Sequence, residues 1–322
     1  MRLEGEYILP LRWHSDEDLT DLTEYLTLLS TWLDVTVVDG SDPKLFAAHA
    51  TAWGGVIRHT SVTVPHGANG KVRGVLSGLA IARHERVVIA DDDVRYDYAA
   101  LRSLVAALDW ADLVRPQNHF VPAPWHARWD TARTLINRTL WHDYPGTYGV
   151  RLSTITLLGG YDADVLFENL ELERTILAAG GTVSNRPDLF VARRPPSARH
   201  FASQRVRQAY DSFAQPWRLV LEAAILPLLM LMIGRPRALT LFMGLLLAAG
   251  EVGRRRNGGA LVFPQSSVLW VPFWVAERGV ATWWAILLRL RGGVRYGGGR
   301  IRRAATPLRT LRRRLDQRRA AL

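Results

Sequence analysis

Residues 69–93 read NGKVRGVLSGLAIARHERVVIADDD. Three things follow one another in this stretch. A helix-like run over 72–83 carries Gly74, Gly78 and Leu79 and opens behind Asn69-Gly70-Lys71. A short apolar strand over 87–90 comes next, and three carboxylates, Asp91, Asp92 and Asp93, close it. Acids at alternate positions after a strand can hold a divalent cation with hard oxygen ligands, and a Lys ahead of a helix can reach a diphosphate or steady the acidic loop.

Working outward, residues 1–215 alternate between the two periods. Strand-like runs lie at 7–9, 35–38, 61–64 and 113–115. Helix-like runs lie at 16–31, 97–108, 127–141, 168–179 and 203–213. Strands alternating with helices of ten or more residues predict a parallel α/β sheet, whose ligands bind beyond the carboxyl ends of its strands. The strand at 35–38 runs into Asp39-Gly40-Ser41-Asp42, so two strands deliver carboxylates to one edge.

Residues 216–291 read differently. The runs 219–233 and 238–250 are strongly apolar and are parted by Gly234-Arg235-Pro236-Arg237; 261–276 and 280–290 repeat the pattern around Glu277-Arg278. Fifteen helical residues span about 22 Å, short of a hydrocarbon core near 30 Å. Trp217, Trp270, Trp274, Trp283 and Trp284 sit where interfacial anchors sit. The pattern predicts membrane association through short, broken or re-entrant helices, a hairpin that dips in and returns. Residues 292–322 then form a basic tail. No secretory signal is visible in residues 1–10, so the bulk of the chain is expected in the cytoplasm.

Composition narrows the classes. The 322 residues are 48% hydrophobic and 22% charged, which excludes wholesale disorder. There is no cysteine, hence no disulfide framework, thiolate zinc site or cysteine nucleophile. Of the net charge of +11, residues 251–322 hold a surplus of +13 (16 Arg against three acids), leaving −2 for the rest. Lys44 and Lys71 are the only lysines. The tail lacks the interleaved aromatics of nucleic-acid binders, so no nucleic-acid partner is expected. Its arginines alternate with Leu308, Leu311 and Leu315 as on an amphipathic helix suited to anionic lipid. The nine histidines show no metal-ligand spacing, and Gly297–Gly299 reads as a flexible link.

The order of these motifs resembles that of the GT-A glycosyltransferases of family 2 and their ceramide-glucosyltransferase-like, membrane-associated relatives. Pro10 matches the end of their opening strand. Asp39 matches the Asp after the second, Asn69 and Lys71 the segment leading a helix, and Asp91 and Asp93 the D-x-D. Gly159-Gly160-Tyr161-Asp162 and Glu168-Asn169-Leu170-Glu171-Leu172 match their central motifs, and Gln204 to Gln208 their Q-x-x-R-W in part.

The resemblance implies an α/β GT-A (nucleotide-diphospho-sugar transferase) fold with a C-terminal membrane-associated helical region. It implies an inverting glycosyltransferase that uses a UDP- or GDP-sugar, a divalent cation (Mn2+ or Mg2+) and a lipid acceptor at the cell membrane. Asp91 and Asp93 would hold the metal. Pro10, Asp39, Asn69, Lys71, Asp91 and Asp92 would line the donor site. Glu168, Gln204 and Arg207 would serve catalysis. Two positions depart from the family. Asn169 stands where the catalytic base is Asp, and Asn cannot take a proton, so Glu168, or Glu171 one turn on, inherits the role. Gln208 stands in place of an acceptor-binding Trp.

Overall fold

The computed structural model describes every residue except Met1, Glu17, Gly297, Gly298, Ala321 and Leu322. The link expected at 297–299 therefore lies partly outside the described residues. The chain begins with β1 (Glu6–Leu11), α1 (Leu19–Ser30), β2 (Asp34–Asp39), α2 (Pro43–Trp53), β3 (Arg58–Ser61), α3 (Gly70–Ile81) and β4 (Arg86–Ala90). β5 (Val94–Arg95), α4 (Tyr98–Ala107), β6 (Leu113–Phe120), α5 (Trp125–Leu140), β7 (Thr147–Arg151), α6 (Leu152–Leu158), α7 (Glu168–Ala178), β8 (Val183–Arg193) and α8 (Ala198–Tyr210) follow. The sheet order is β3-β2-β1-β4-β7-β6-β8-β5.

The strands β3, β2, β1 and β4 pair in parallel, as alternation predicts. β7 departs from that expectation: it runs antiparallel to both β4 and β6, and β5 runs antiparallel to β8. The sheet is therefore mixed. The sequence of β7, TYGVR, hides its nature behind Gly149. A Cβ there would lie 3.2 Å from Leu104 Cδ2 and Leu108 Cδ1, so the glycine lets α4 approach the sheet. β8 conceals itself with Pro187, which falls at a register irregularity against β6. The third strand ends at Ser61, three residues before the expected limit, because the backbone N–H groups of Thr63 and Val64 donate to Ser77 Oγ rather than to the sheet.

α3 fits against β1 through its glycines. A Cβ on Gly78 would sit 2.5 Å from Ile8 Cγ2, and one on Gly74 would sit 2.9 Å from Pro10 Cβ. Its N-terminus is capped by Asn69, whose Oδ1 accepts from the Lys71 and Val72 N–H groups. The helix start, and with it Lys71, is thereby fixed beside the carboxyl end of β4.

The helices α9 (Pro216–Leu231), α10 (Pro236–Arg255) and α11 (Val271–Leu290) pack on α5, α8 and one another. The sequence splits α11 at Glu277-Arg278, but the helix runs through: both side chains turn inward, Glu277 to within 3.7 Å of Arg205 and Arg278 to full burial. α10 packs against α5 so closely that a Cβ on Gly253 would lie 1.9 Å from the Leu135 carbonyl oxygen. Arg138 of α5 ties the layers together, donating to the carbonyls of Gly253 and Pro187 and to Gln117 Oε1.

The other face of these helices is bare. Val220, Leu221, Met230, Leu241, Leu245 and Trp284 are exposed, a patch of the kind that marks an interaction surface. One helical stretch among the described residues, Pro236–Leu261, is long and apolar enough to cross a membrane by length and composition.

The tail forms a hairpin of β9 (Val294–Tyr296) and β10 (Gly299–Ile301) and a last helix, α12 (Leu308–Ala320). Its apolar residues do not face outward as the sequence pattern predicts. Leu311 is buried, and Leu315 packs on the core cluster containing Leu172 and Ile176 of α7. Arg312, Arg313 and Arg314 remain exposed.

Candidate active site

The carboxyl end of β4 places Asp91 and Asp93 together with Lys71. The Lys71 ammonium lies 2.6 Å from Asp91 Oδ1 and 2.9 Å from Glu168 Oε1, bridging the acidic triplet to the start of α7. On the other side Arg193, the last residue of β8, donates from Nε to Asp93 Oδ2 at 2.7 Å and approaches Asp91 Oδ2 at 3.3 Å. Gly146 permits this crowding, since a Cβ there would lie 2.6 Å from Asp91 Oδ2.

Electrostatics separate the two acids. Burial pushes the Asp93 carboxyl up to about 6, Arg193 opposing the rise and the neighbouring Asp91 and Asp92 adding to it. Burial acts on Asp91 too, but Lys71 and Arg193 outweigh it and hold that carboxyl below its ordinary range. Burial likewise works against the charge of Lys71, yet Asp91 and Glu168 keep it protonated far above the usual lysine range.

Asp93 Oδ1 is buried with no hydrogen-bond partner. An orphaned carboxylate oxygen beside a second carboxylate is the hard donor set that Mn2+ or Mg2+ takes. The residues fit such an ion.

The remaining expected residues are distributed around this centre. Asp92 turns away, its Oδ2 accepting from Trp13 Nε1 at 2.6 Å. Asn69 is fully buried in its capping role and donates to the Val165 carbonyl. Pro10 is the surface on which Gly74 rests.

Asp39 is 2% exposed. Its Oδ1 accepts from the Ser41 N–H at 2.8 Å, and its Oδ2 lies 2.6 Å from His49 Nδ1 and 3.1 Å from His59 Nε2. The sequence gives no sign that these two histidines converge. The trio could in principle hold a metal. Ligand atoms about 2.1 Å from a shared ion, however, lie roughly 3 Å or more apart. The 2.6 Å separation marks hydrogen bonding, and Asp39 works as an anchor for Ser41 and His59.

Glu168, Gln204 and Arg207 face one cavity of about 170 Å3 with Lys71, Asp91 and Arg193. Arg207 donates to Gln204 Oε1 at 2.8 Å and lies over the Tyr296 ring. Asn169 lines the cavity, but its amide donates to the Pro145 carbonyl. Glu171, the alternative base, is not in the cleft: it is fully buried and accepts from the Thr306 N–H of the tail at 2.5 Å. One helical turn does not keep it on the face of Glu168, because the tail claims that side.

Three residues of the cavity escape sequence reading. Arg193 ends a strand that Pro187 disguises. Asp211 follows α8 directly, and burial raises its carboxyl to about 7, against the pull of Arg207. Arg278 is 1% exposed and none of its guanidinium nitrogens has a hydrogen-bond acceptor. Its signal was a charge inside an apolar run.

No family model and no curated protein matches the sequence. Solved structures do match. The mannosyltransferase of Pyrobaculum calidifontis, in complex with GDP-Man and Mn2+, is 20% identical over 88% of each chain, with a TM-score of 0.50. Mannosyl-3-phosphoglycerate synthase from Rubrobacter xylanophilus is 13% identical over 62% of this chain and 70% of its own, with a TM-score of 0.43. Glucosyl-3-phosphoglycerate synthase from Mycobacterium tuberculosis, with Mn2+, UDP and glucosyl-3-phosphoglycerate, is 17% identical over 62% and 74%, with a TM-score of 0.38. The mixed α/β sheet of this chain matches the GT-A fold of the Pyrobaculum calidifontis mannosyltransferase.

Proposed function

We propose that this chain is a metal-dependent, inverting glycosyltransferase that moves a sugar from a UDP- or GDP-sugar to a hydroxyl of a lipidic acceptor at the cell membrane, its catalytic side facing the cytoplasm. The observation that carries the reading is the meeting of Lys71, Asp91, Glu168, Arg193 and Arg207 in one cavity at the carboxyl end of β4. The Mn2+ of the similar mannosyltransferase supports the choice of ion.

The donor lies along the strand ends. Asp39 fixes Ser41 and His59 at the base-proximal side, and Trp13 with Asp92 closes that loop. Asp91 and Asp93 would hold a divalent cation, which supplies charge neutralisation for the departing diphosphate. Arg207 aims forked donors at the same leaving group. Glu168 is the carboxylate placed to take the acceptor's proton as its oxygen attacks the anomeric carbon. Lys71 keeps Glu168 and Asp91 apart in charge and fixed in position. Alignment of donor and acceptor supplies much of the rate. The bare apolar face of α9, α10 and α11 supports membrane attachment.

A second reading, donor binding without transfer, is favoured by the Asn169 amide bound to Pro145, which leaves the family's base position chemically silent. Calorimetric titration of the detergent-solubilised chain with UDP- and GDP-sugars, with Mn2+ and then EDTA, tests the donor site. Binding of one nucleotide class that EDTA abolishes is expected. No binding by folded protein refutes the proposal, and binding without turnover on any lipid selects the second reading.

A further inference from the structure

A second cavity, of about 480 Å3, opens beside the first between α8, the end of α11 and the β9–β10 hairpin. Gln204 and Arg207 line both cavities, so the two adjoin across these side chains. Its chargeable nitrogen groups are His200, Arg207, Arg295 and Arg300, beside the phenol of Tyr296, and no carboxylate lines it among the described residues. The catalytic cavity, by contrast, pairs most of its cations with carboxylates. The guanidinium of Arg295 is exposed and makes no hydrogen bond or ion pair among the described residues, while Arg300 donates to the Arg291 carbonyl.

The opposite wall is apolar. Trp284, 51% exposed, and Leu288 line the cavity from α11. Trp284 also belongs to the bare face that runs over Val280 and Trp283. The cavity thus borders the apolar surface through Trp284 and Leu288, and borders the cavity of Glu168 through Gln204 and Arg207.

We propose that this cavity binds the acceptor, and that the acceptor is a phosphate-bearing lipid. Its phosphate lies among His200, Arg295 and Arg300, and its chain leaves over Trp284 and Leu288. Guanidinium forks match phosphate oxygens, and an amphiphile of this kind satisfies both walls at once. The assignment rests on the glycosyl-transfer reading, which it deepens by naming the acceptor class.

The test measures equilibrium binding of the full chain in neutral detergent to paired probes: farnesyl phosphate against farnesol, and dioctanoyl phosphatidic acid against dioctanoylglycerol. At least one phosphate-bearing probe is expected to bind ten times more tightly than its neutral partner. Which of them does so distinguishes a prenyl from a glycerolipid carrier. Arg295→Ala with Arg300→Ala should erase that preference while nucleotide-sugar affinity stays unchanged, and Arg295→Lys with Arg300→Lys should keep part of it. Both residues are exposed, so folding is not at stake. Equal binding of neutral and phosphate-bearing probes, a preference that survives the double alanine variant, or inorganic phosphate competing as strongly as the lipid would each overturn the proposal. Lipid preference without nucleotide-sugar binding would sink the transfer reading and leave this site standing.

Discussion

Replacing Lys71 by Met removes one ammonium and leaves two carboxylates facing each other. Its side chain is 20% exposed, and its partners Asp91 and Glu168 are similarly enclosed. Removing one member of a buried ion pair costs about 3–5 kcal/mol, because the partner charge stays behind without compensation. Partial exposure places this case at the lower end, about 3 kcal/mol. For a chain of this size that corresponds to roughly 4 °C in Tm.

The structure adds a second, more specific expectation. Lys71 occupies Asp91 Oδ1, so Lys71→Met frees an oxygen of the candidate metal pair. Mn2+ should then restore stability in the variant more than it raises it in the wild type. At a hundred times Kd the return is about 2.7 kcal/mol. Lys71→Arg keeps the charge but sets a planar fork where one nitrogen sits between two oxygens, and should recover only part of the loss. Thermal unfolding in detergent, with EDTA and with Mn2+, reads the wild type and both variants. A Lys71→Met protein as stable as wild type, or one that Mn2+ does not preferentially restore, would refute the reasoning.

Asp211 has its carboxyl raised to about 7, so the folded state holds a proton that the unfolded chain releases near 4. The stability tied to that proton is full below about 4 and is lost as pH rises through 7. Asp211→Asn should flatten the fall in Tm between pH 5 and 8, a difference of about 2 kcal/mol; parallel profiles would show that Asp211 does not titrate there. Gly253→Ala drives a Cβ into the Leu135 carbonyl and should cost about 3 kcal/mol, measured by denaturation; an unchanged midpoint would mean that α10 does not pack where it is placed. Leu241 and Leu245 are 66% and 60% exposed. Leu241→Lys with Leu245→Lys should leave Tm within 1–2 °C, as surface changes do, yet abolish co-flotation with vesicles; flotation equal to wild type would remove α10 from the membrane surface.

The parallel half of the fold was legible because its signals are local. Asn69 caps, Gly74 and Gly78 thin one side of α3, and four apolar residues announce β4. Of the other half only the start of β6, at 113–115, was read; β7, β8 and β5 were not, because they draw their stability from neighbours distant in sequence. Gly149 and Pro187 argue against strand by local propensity, and β4 and β6 overrule them. The site divides the same way. Asp91, Asp93 and Lys71 could be read from one stretch of 25 residues. Arg193, Asp211 and Arg278 could not: Arg193 meets Asp93 from 100 positions away, and the burial of Asp211 and Arg278 is set by tertiary packing rather than by a local pattern. Glu171 shows the converse error: helix spacing placed it beside Glu168, and a tail that no helical wheel contains took it into the interior.

The layers also tie the bare apolar face and the candidate site into one mechanical unit. Arg138 donates to carbonyls of β8 and α10 and to Gln117 of β6. Gly253 lets α10 touch α5 at backbone distance. Glu222 of α9, inside the same helical layer, accepts from Ser212 and from Arg218 at the floor of the catalytic cavity. On the proposed attachment, a face held to a bilayer through α9 and α10 would fix the height of Glu168 and Arg207 above that bilayer. An acceptor with a tail in the membrane and a head at the cavity would then arrive already oriented. Much of the entropy of bringing two substrates together is removed before the donor binds.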